Sequence, residues 1–316
     1  MKTVFIVNPK AGKKNNIESL TERIKAAAEK LEADVEIYKT KAVGDAAVFV
    51  REFCEKHGKA RFIACGGDGT LGEVVNGAVL FDGAEVGVMP FGTGNDFVKN
   101  FDGDFSDIES QITSESEKCD IIKYTTKTAE GERAGYCANM FNIGFDCNVV
   151  DAMESIKKRT VFSGSLAYFV GIFTTLIKKK GANLEIELDG EKVHAGKLLL
   201  TSIANGCFCG GGVKSNPLAS VHDGLMNVNI IYNVSRLKFV TLLPYYMKGT
   251  HLGLRKIDKV IKNVGCKRIR ITPNGGTMRL CTDGEITTAG VTEFEILHDA
   301  LNFVVPKKES AKIAVL

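Results

Sequence analysis

Residues 61–71 read RFIACGGDGTL, an apolar run that breaks off in glycine and continues into a second apolar pattern. Arg61–Cys65 has the length and composition of a buried strand. Behind the glycines, apolar side chains recur at the spacing of one helix face, at Leu71, Val74, Val75, Ala78 and Val79. The stretch therefore predicts a strand, a tight glycine turn and a helix in direct succession.

The same alternation extends in both directions along the chain. Further strands are predicted at Thr3–Val7, Val35–Tyr38 and Glu85–Met89, with helices over 17–31 and 46–56 between them. A strand–helix order of this kind favours a parallel sheet with right-handed crossovers. The first third of the chain is thus predicted to be an α/β domain, and ligands of such sheets bind at the carboxyl ends of the strands.

From about residue 120 the pattern changes to alternating runs separated by turn signals. Asp189-Gly190 lies between two such runs and is typical of a hairpin turn. The predicted strands are Ile121–Thr125, Leu184–Leu188, Lys192–Thr201, Leu225–Tyr232 and Lys267–Thr272. We expect a second domain that is mostly antiparallel.

Composition excludes several classes of protein. The 316 residues include 41 Lys and Arg against 38 Asp and Glu, and a net charge of +3 is too balanced for a dedicated nucleic-acid binder. The nine cysteines form no CxxC pair, which disfavours a zinc ribbon or a disulfide framework. The N-terminal apolar run is too short for a signal peptide. We expect a reduced, cytoplasmic setting with mostly structural cysteines.

Val161–Ile177 is largely apolar and lies between two lysine-rich flanks. A membrane-spanning helix needs about 20 predominantly apolar residues, and this run is shorter and contains polar residues. The favoured interpretation is a helix packed on the second domain. A helix that borders a lipid site or touches an anionic membrane stays open as the alternative, and a membrane span is the least favoured.

Three turns follow strands at the same predicted sheet edge, at 8–13, 66–70 and 90–97. Glycines allow a ligand to approach the backbone closely, and the helix start behind the second turn offers N–H groups to a phosphate. Asp68 suits a phosphate site only if a cation such as Mg²⁺ lies between them. The turns together predict a nucleotide with its metal, although a P-loop motif is absent and tight turns without a ligand are the alternative.

These motifs resemble the diacylglycerol kinase catalytic domain of bacterial lipid kinases. They read NPKAG at 8–12, GGDGT at 66–70, GTGNDF at 92–97, DGL at 223–225 and DGE at 283–285. GGDGT is shared with NAD kinases, whereas GTGNDF is more specific to lipid kinases. The resemblance implies an α/β nucleotide-binding domain over 1–123, a β-sandwich lipid-substrate domain over 124–298, and a tail over 299–316 that returns to the first domain.

The resemblance also implies a set of site residues. ATP would lie in the cleft between the domains, and Asp68 would order Mg²⁺ through water. The implied ATP-site residues are Asn8, Lys13, Thr40, Gly66, Gly67, Asp68, Gly69, Thr70, Glu73, Thr93, Gly94 and Asn95.

Phosphoryl transfer to a hydroxyl requires a group that takes the hydroxyl proton. The sequence Asp-Gly-Glu occurs at 189–191 and at 283–285, each time after an alternating strand, and the local pattern cannot rank the two. The resemblance selects Asp283 as the base, with Glu285 supporting it. Asp189 is then only a turn residue.

Several members of this family carry a second, structural Mg²⁺ in a loop with two aspartates three residues apart. Ser220 stands at the first of these positions here, and Asp223 at the second. A Mg²⁺ site with one protein carboxylate is weak. We expect the site to be absent, weaker, or completed by water and the Leu225 carbonyl.

The expected function is an ATP- and Mg²⁺-dependent lipid kinase that attaches reversibly to a membrane surface and converts diacylglycerol to phosphatidic acid. An NAD kinase-like phosphotransferase and a non-catalytic nucleotide- or lipid-binding regulator are the alternatives. The expected partner is a membrane lipid and not a nucleic acid, and a homodimer stays open. The sequence does not name the acceptor lipid.

Overall fold

The computed structural model of the protein describes residues 1–11, 16–145, 147–148 and 181–307. Lys13 and the predicted helix at Val161–Ile177 lie outside these residues. Contacts divide the chain into two compact units. The first comprises Met1–Cys119 with Asp299–Leu316, and the second comprises Asp120–His298.

The first unit is built on a parallel sheet. Its strands are β1 (Lys2–Val7), β2 (Val35–Lys39), β3 (Ala60–Gly66) and β4 (Ala84–Pro90), in the order β2-β1-β3-β4. Its helices are α1 (Asn16–Lys30), α2 (Asp45–His57), α3 (Asp68–Ala78) and α4 (Ile108–Thr113). Every residue of β3 is buried, as expected for a parallel strand that is covered on both faces.

The second unit is antiparallel. Its strands are β5 (Ser116–Thr128), β6 (Gly131–Cys137), β7 (Met140–Gly144), β8 (Ala182–Leu188), β9 (Glu191–Leu198), β10 (Leu200–Ala204), β11 (Met226–Ile231), β12 (Ile261–Cys266), β13 (Arg268–Pro273), β14 (Met278–Thr282), β15 (Glu285–Ala289) and β16 (Thr292–Val304), and its helix is α5 (Arg236–Lys248). One sheet has the order β12-β11-β10-β7-β14-β15. In the other sheet, the neighbouring strands follow the order β16-β13-β8-β9. The two sheets share one apolar core, which contains Phe141 and Ile203 from the first sheet and Ile186 and Phe294 from the second. The unit is therefore a β-sandwich.

The last strand also contributes to the first unit, because Asn302 and Phe303 of β16 pair in parallel with Glu85 and Val86 of β4. The Asn302 side chain donates hydrogen bonds to the carbonyls of Asp82 and Ala84, both at 3.0 Å. The end of β16 therefore adds one parallel strand to the sheet, beside β4.

The predicted fold class, a parallel α/β domain followed by an antiparallel β-sandwich, is confirmed. The predicted single strand Lys192–Thr201 is wrong in detail, because it is two strands that break at Leu199. β9 pairs with β8 in one sheet and β10 pairs with β7 and β11 in the other, so the chain changes sheets there.

All nine cysteines are free thiols, and seven of them are buried, as expected for structural residues. Among the helices that the structure describes, none is both long enough and apolar enough to cross a membrane.

Candidate active site

Three turns of the first unit meet at the carboxyl ends of β1, β3 and β4. The amide of Asn8 donates to the Cys65 carbonyl at 3.1 Å, and the amide of Phe91 donates to the Gly66 carbonyl at 2.8 Å. The Asn8 side chain reaches across to the Thr70 hydroxyl at 3.0 Å. The predicted juxtaposition of the three turns at one edge therefore has a definite geometry, at least for the part of the first turn that the structure describes.

Glycine is required where two of these turns pass each other. A Cβ added to Gly67 would lie 3.1 Å from the Cα of Gly92, and one added to Gly92 would lie 2.5 Å from the Cα of Gly67. A Cβ on Gly66 would lie 2.3 Å from the Thr70 hydroxyl oxygen. The backbones thus touch directly beside the start of α3, where only glycine leaves room for them.

Asp68 is the first residue of α3 and points into the turn after β4. Its Oδ1 accepts hydrogen bonds from the amides of Asp96, at 2.8 Å, and Phe97, at 3.5 Å. A Cβ added to Gly94 would lie 2.7 Å from Oδ2 of Asp68 and 3.4 Å from Oδ2 of Asp96, so both oxygens face Gly94. Burial, followed by the nearby Asp96 carboxylate, raises the pKa of Asp68.

This pair of carboxylates fits Mg²⁺. Both are oxygen donors of the kind that the ion prefers, and a divalent cation would offset the repulsion between them. Lys99 supplies part of that offset, since its ammonium lies 2.6 Å from Oδ1 of Asp96 and 2.6 Å from the Gly94 carbonyl. Sequence reasoning did not assign Asp96 or Lys99 to the site, although Asp96 belongs to the GTGNDF motif.

Asn95 shapes the turn in which it lies. Its side-chain oxygen accepts from the Gly92 amide at 3.0 Å, and its side-chain nitrogen donates to the Gly92 carbonyl at 2.8 Å. Its φ of 49° lies in the left-handed region, which asparagine adopts more readily than most residues. Thr93 is exposed at the tip of the turn.

A pocket beside these turns brings together four predicted residues, which are Asn8, Thr40, Thr70 and Glu73. The Glu73 carboxylate accepts from the amides of Gly44, at 2.8 Å, and Ala46, at 3.2 Å, at the start of α2. Glu73 therefore fixes the 40–44 loop that forms one wall of the pocket. Both of its carboxylate oxygens accept hydrogen bonds from the backbone.

In the second unit, Asp283 occupies the turn between β14 and β15 with a φ of 44°. Its Oδ1 accepts from the Met140 amide at 3.0 Å, and its Oδ2 accepts from the Cys137 thiol at 3.3 Å. Burial, followed by the charge of Asp283, raises the pKa of Cys137, so the thiol stays protonated and can donate. Glu285 is exposed. The Cys137 contact spans 146 positions, and no local pattern in the sequence signals it.

Asp189 adopts a similar conformation at the other Asp-Gly turn, with a φ of 49°. It is exposed, and its carboxylate accepts from the backbone amides of Lys267, at 3.0 Å, and Arg268, at 2.8 Å. The two aspartates thus share backbone geometry and differ in burial and in the thiol partner.

The loop at 219–225 is held by hydrogen bonds to its own backbone and to a neighbouring carboxylate. Oδ1 of Asp223 accepts from the Leu225 amide at 3.0 Å, and the Ser220 hydroxyl accepts from the His222 amide at 3.3 Å. The loop is also anchored by the buried Asp120, whose Oδ2 accepts from the Gly224 amide at 2.7 Å. The other oxygen of Asp120 lies 2.7 Å from the His298 ring.

Fold and turn geometry together define the class: a parallel α/β unit with glycine turns, joined to an antiparallel sandwich of the NAD kinase type. The family described as "Diacylglycerol kinase catalytic domain" matches residues 2–124. The "YegS C-terminal NAD kinase beta sandwich-like domain" matches residues 139–305, more than half of the chain. The chain belongs to the bacterial diacylglycerol kinase and lipid kinase family.

Individual proteins agree with this assignment. "Diacylglycerol kinase" of Bacillus subtilis (strain 168) is 26% identical over 320 residues, covering 98% of each chain. The crystal structure of "a putative diacylglycerol kinase from Bacillus anthracis str. Sterne" is 23% identical, covers 96% of both chains and superposes with a TM-score of 0.72. Yeast NADH kinase complexed with NADH is 13% identical, covers 98% of this chain and 84% of its own, and gives 0.50. At these identities the solved structures indicate a shared fold.

Proposed function

We propose that the protein transfers the γ-phosphoryl group of ATP to the hydroxyl of a membrane lipid, with diacylglycerol as acceptor and phosphatidic acid as product. The observation that carries the proposal is the Asp68 carboxylate, which faces Gly94 at the point where the glycine turns touch. Family membership supports a kinase, and the named relatives support a lipid acceptor.

The residues of the first unit would bind and orient the nucleotide. Amides at the start of α3 would donate to phosphate oxygens, since these groups have no partner within the helix. Asp68 would hold Mg²⁺ through water, with Asp96 beside it. When bound, the metal neutralises charge that develops on the phosphate oxygens.

Asp283 would take the proton from the lipid hydroxyl. A carboxylate does this well when it is ionised and held in one orientation, and the Met140 amide and Cys137 thiol provide that orientation. The exposed Glu285 would support the acceptor side of the site.

The test is ADP release by the full chain with diacylglycerol, phosphatidylglycerol, ceramide, a sphingoid base, a polyprenol or NAD as acceptor. We expect turnover with diacylglycerol. Asp283→Asn should lower it about 10²–10⁴-fold, the usual contribution of a general base. Asp189→Asn is the matched control, because it changes an aspartate of similar conformation, and turnover should stay close to that of the unchanged protein.

Three outcomes would contradict the proposal. Equal effects of Asp283→Asn and Asp189→Asn would remove Asp283 as the base. Turnover with NAD alone would identify an NAD kinase, and ATP binding without turnover of any acceptor would identify a regulator.

A further inference from the structure

Helix α5 packs on the sandwich with one of its faces. Ser235 caps its start, accepting from the Lys238 amide at 3.2 Å, and Gly249 ends it in the left-handed conformation. The inward side chains contact an apolar cluster that includes Phe145, Leu200 and Ile261. They are Phe239, Leu242, Leu243, Tyr246 and Met247.

The opposite face of α5 carries exposed apolar side chains together with the polar Thr241. Leu237 is 78% exposed, Val240 44% and Tyr245 46%, so three exposed large apolar side chains of the described residues lie on this one helix. At 100° per residue these three and Pro244 fall on one outward half of the helix. A surface helix normally places mainly polar residues on its outward half. No residue of α5 is fully buried.

Basic residues border this outward face. At 100° per residue Lys238 lies at one edge of this face, and Lys248 lies within it at the helix end. No acidic residue occurs between Asp223 and Asp258, while Arg255 and Lys256 add two exposed positive charges just beyond the helix. An apolar strip with cationic edges is the pattern of helices that lie in the interface of an anionic bilayer.

We propose that the outward face of α5 docks onto an anionic lipid bilayer. The apolar strip of Leu237, Val240 and Tyr245 enters the boundary between headgroups and acyl chains. Lys238 and Lys248 contact the anionic headgroups. The docking rests on the proposed function, since a membrane-lipid acceptor requires the protein to reach a bilayer. It concerns a surface outside the candidate active site, and it can be measured without ATP or turnover.

The chain contains no tryptophan, so a single one reports on its own surroundings. Tyr245→Trp places this probe on the outward face of α5. Leu218→Trp is the matched control, because Leu218 is 63% exposed in the same unit and lies outside α5. With vesicles of equimolar phosphatidylcholine and phosphatidylglycerol, we expect blue-shifted emission and quenching by brominated acyl chains for Tyr245→Trp only. Equal responses of the two probes would overturn the proposal.

Vesicle co-sedimentation of the full chain separates the two contributions. Lys238→Gln should weaken binding about fivefold, since one lysine near an anionic surface contributes about 1 kcal/mol. Leu237→Ser should weaken it about tenfold through lost apolar burial. Lys197→Gln and Leu218→Ser, also exposed but distant in sequence from α5, should bind like the unchanged protein.

Thermal unfolding controls for folding, and all four midpoints should stay unchanged because the side chains are exposed. Absence of binding to the anionic vesicles, or binding that is unaffected by both α5 substitutions, would overturn the proposal. So would a change in oligomeric state on Leu237→Ser with vesicle binding intact, because the face would then contact a second copy of the chain.

Discussion

The hydrogen bond between Cys137 and Asp283 assigns a positioning role to a thiol inside the sandwich core. Cys137→Ala removes the donor to Oδ2 of Asp283, and we expect kcat to fall about tenfold, the lower end for a hydrogen bond to a charged group, about 1.5 kcal/mol. The acidic limb of the kcat/KM profile should move to higher pH, because a carboxylate that loses a donor ionises less readily. Cys137→Ser keeps a donor and should restore both properties.

Cys266→Ala is the matched control for this prediction. Cys266 and Cys137 belong to the same core cluster and are each 1% exposed, so both substitutions cost similar packing. A merely structural role of Cys137 would lower stability equally in both variants and leave the pH profile in place, which would contradict the prediction.

The ionised carboxylate of Asp68 lowers the stability of the folded protein, because it is buried beside Asp96. Because the pKa of Asp68 is raised in the folded protein, the folded chain binds this proton more tightly than the unfolded chain, and stability decreases as pH rises through that pKa. Asp68→Asn should abolish turnover, because the variant loses the carboxylate that is proposed to hold Mg²⁺. It should nevertheless raise the unfolding midpoint at neutral pH, measured by calorimetry without nucleotide or Mg²⁺. The difference should vanish at acidic pH, where Asp68 is neutral. Asp82→Asn, at an exposed aspartate, is the control, and an equal rise there would contradict this reasoning.

Sequence reasoning names residues whose role is written in a local motif. Asp68 was predicted from its glycine motif, whereas Asp283 needed the family resemblance, because the local pattern did not separate it from Asp189. Cys137, Asp120 and the anchoring role of Glu73 depend on hydrogen bonds between positions far apart in the chain. In the sequence these three side chains look like ordinary core or surface residues, and only the folded structure shows which groups they contact.

At the scale of elements, the turns after β3 and β4 act as one unit because their backbones touch. Gly92→Ala would put a methyl group 2.5 Å from the Cα of Gly67 and force the turns apart. We expect kcat/KM for ATP to fall about a hundredfold, the effect of a displacement of about 1 Å at a positioned site. The measurement is steady-state kinetics with varied ATP.

Gly72→Ala is the control for that substitution. Gly72 lies inside α3, and a Cβ there would meet nothing within 4 Å. Alanine should stabilise the helix by about 0.5–1 kcal/mol and leave turnover unchanged. Loss of ATP affinity in both variants would mean that α3, rather than the contact between the turns, is the sensitive element.

Elements with a clean period were predictable, and those without one were not. Helix α3 and strands β1 to β4 follow their apolar patterns closely. Helix α5 has apolar residues on both faces and so shows no single stripe at helical spacing. The break between β9 and β10 at Leu199 falls within a continuous apolar run. Leu198 at the end of β9 and Leu200 at the start of β10 are both buried, so no polar residue marks the break.

At the scale of the whole molecule, we expect the sandwich unit to need no metal at the 219–225 loop. Asp120 is fully buried and anchors this loop through the Gly224 amide. Without nucleotide, EDTA should therefore leave the unfolding midpoint unchanged, and metal analysis of the dialysed protein should find no retained Mg²⁺. Asp120→Ala should lower stability by about 1–3 kcal/mol, the cost of a buried amide that has lost its acceptor. The His298 ring adds little to this cost because its side chain is 56% exposed and can be hydrated. Ser220→Ala, which removes the oxygen at the position of the first aspartate of the metal loop, should change stability far less. Retained Mg²⁺ together with a midpoint that EDTA lowers would show instead that the loop completes a metal site with water and backbone carbonyls.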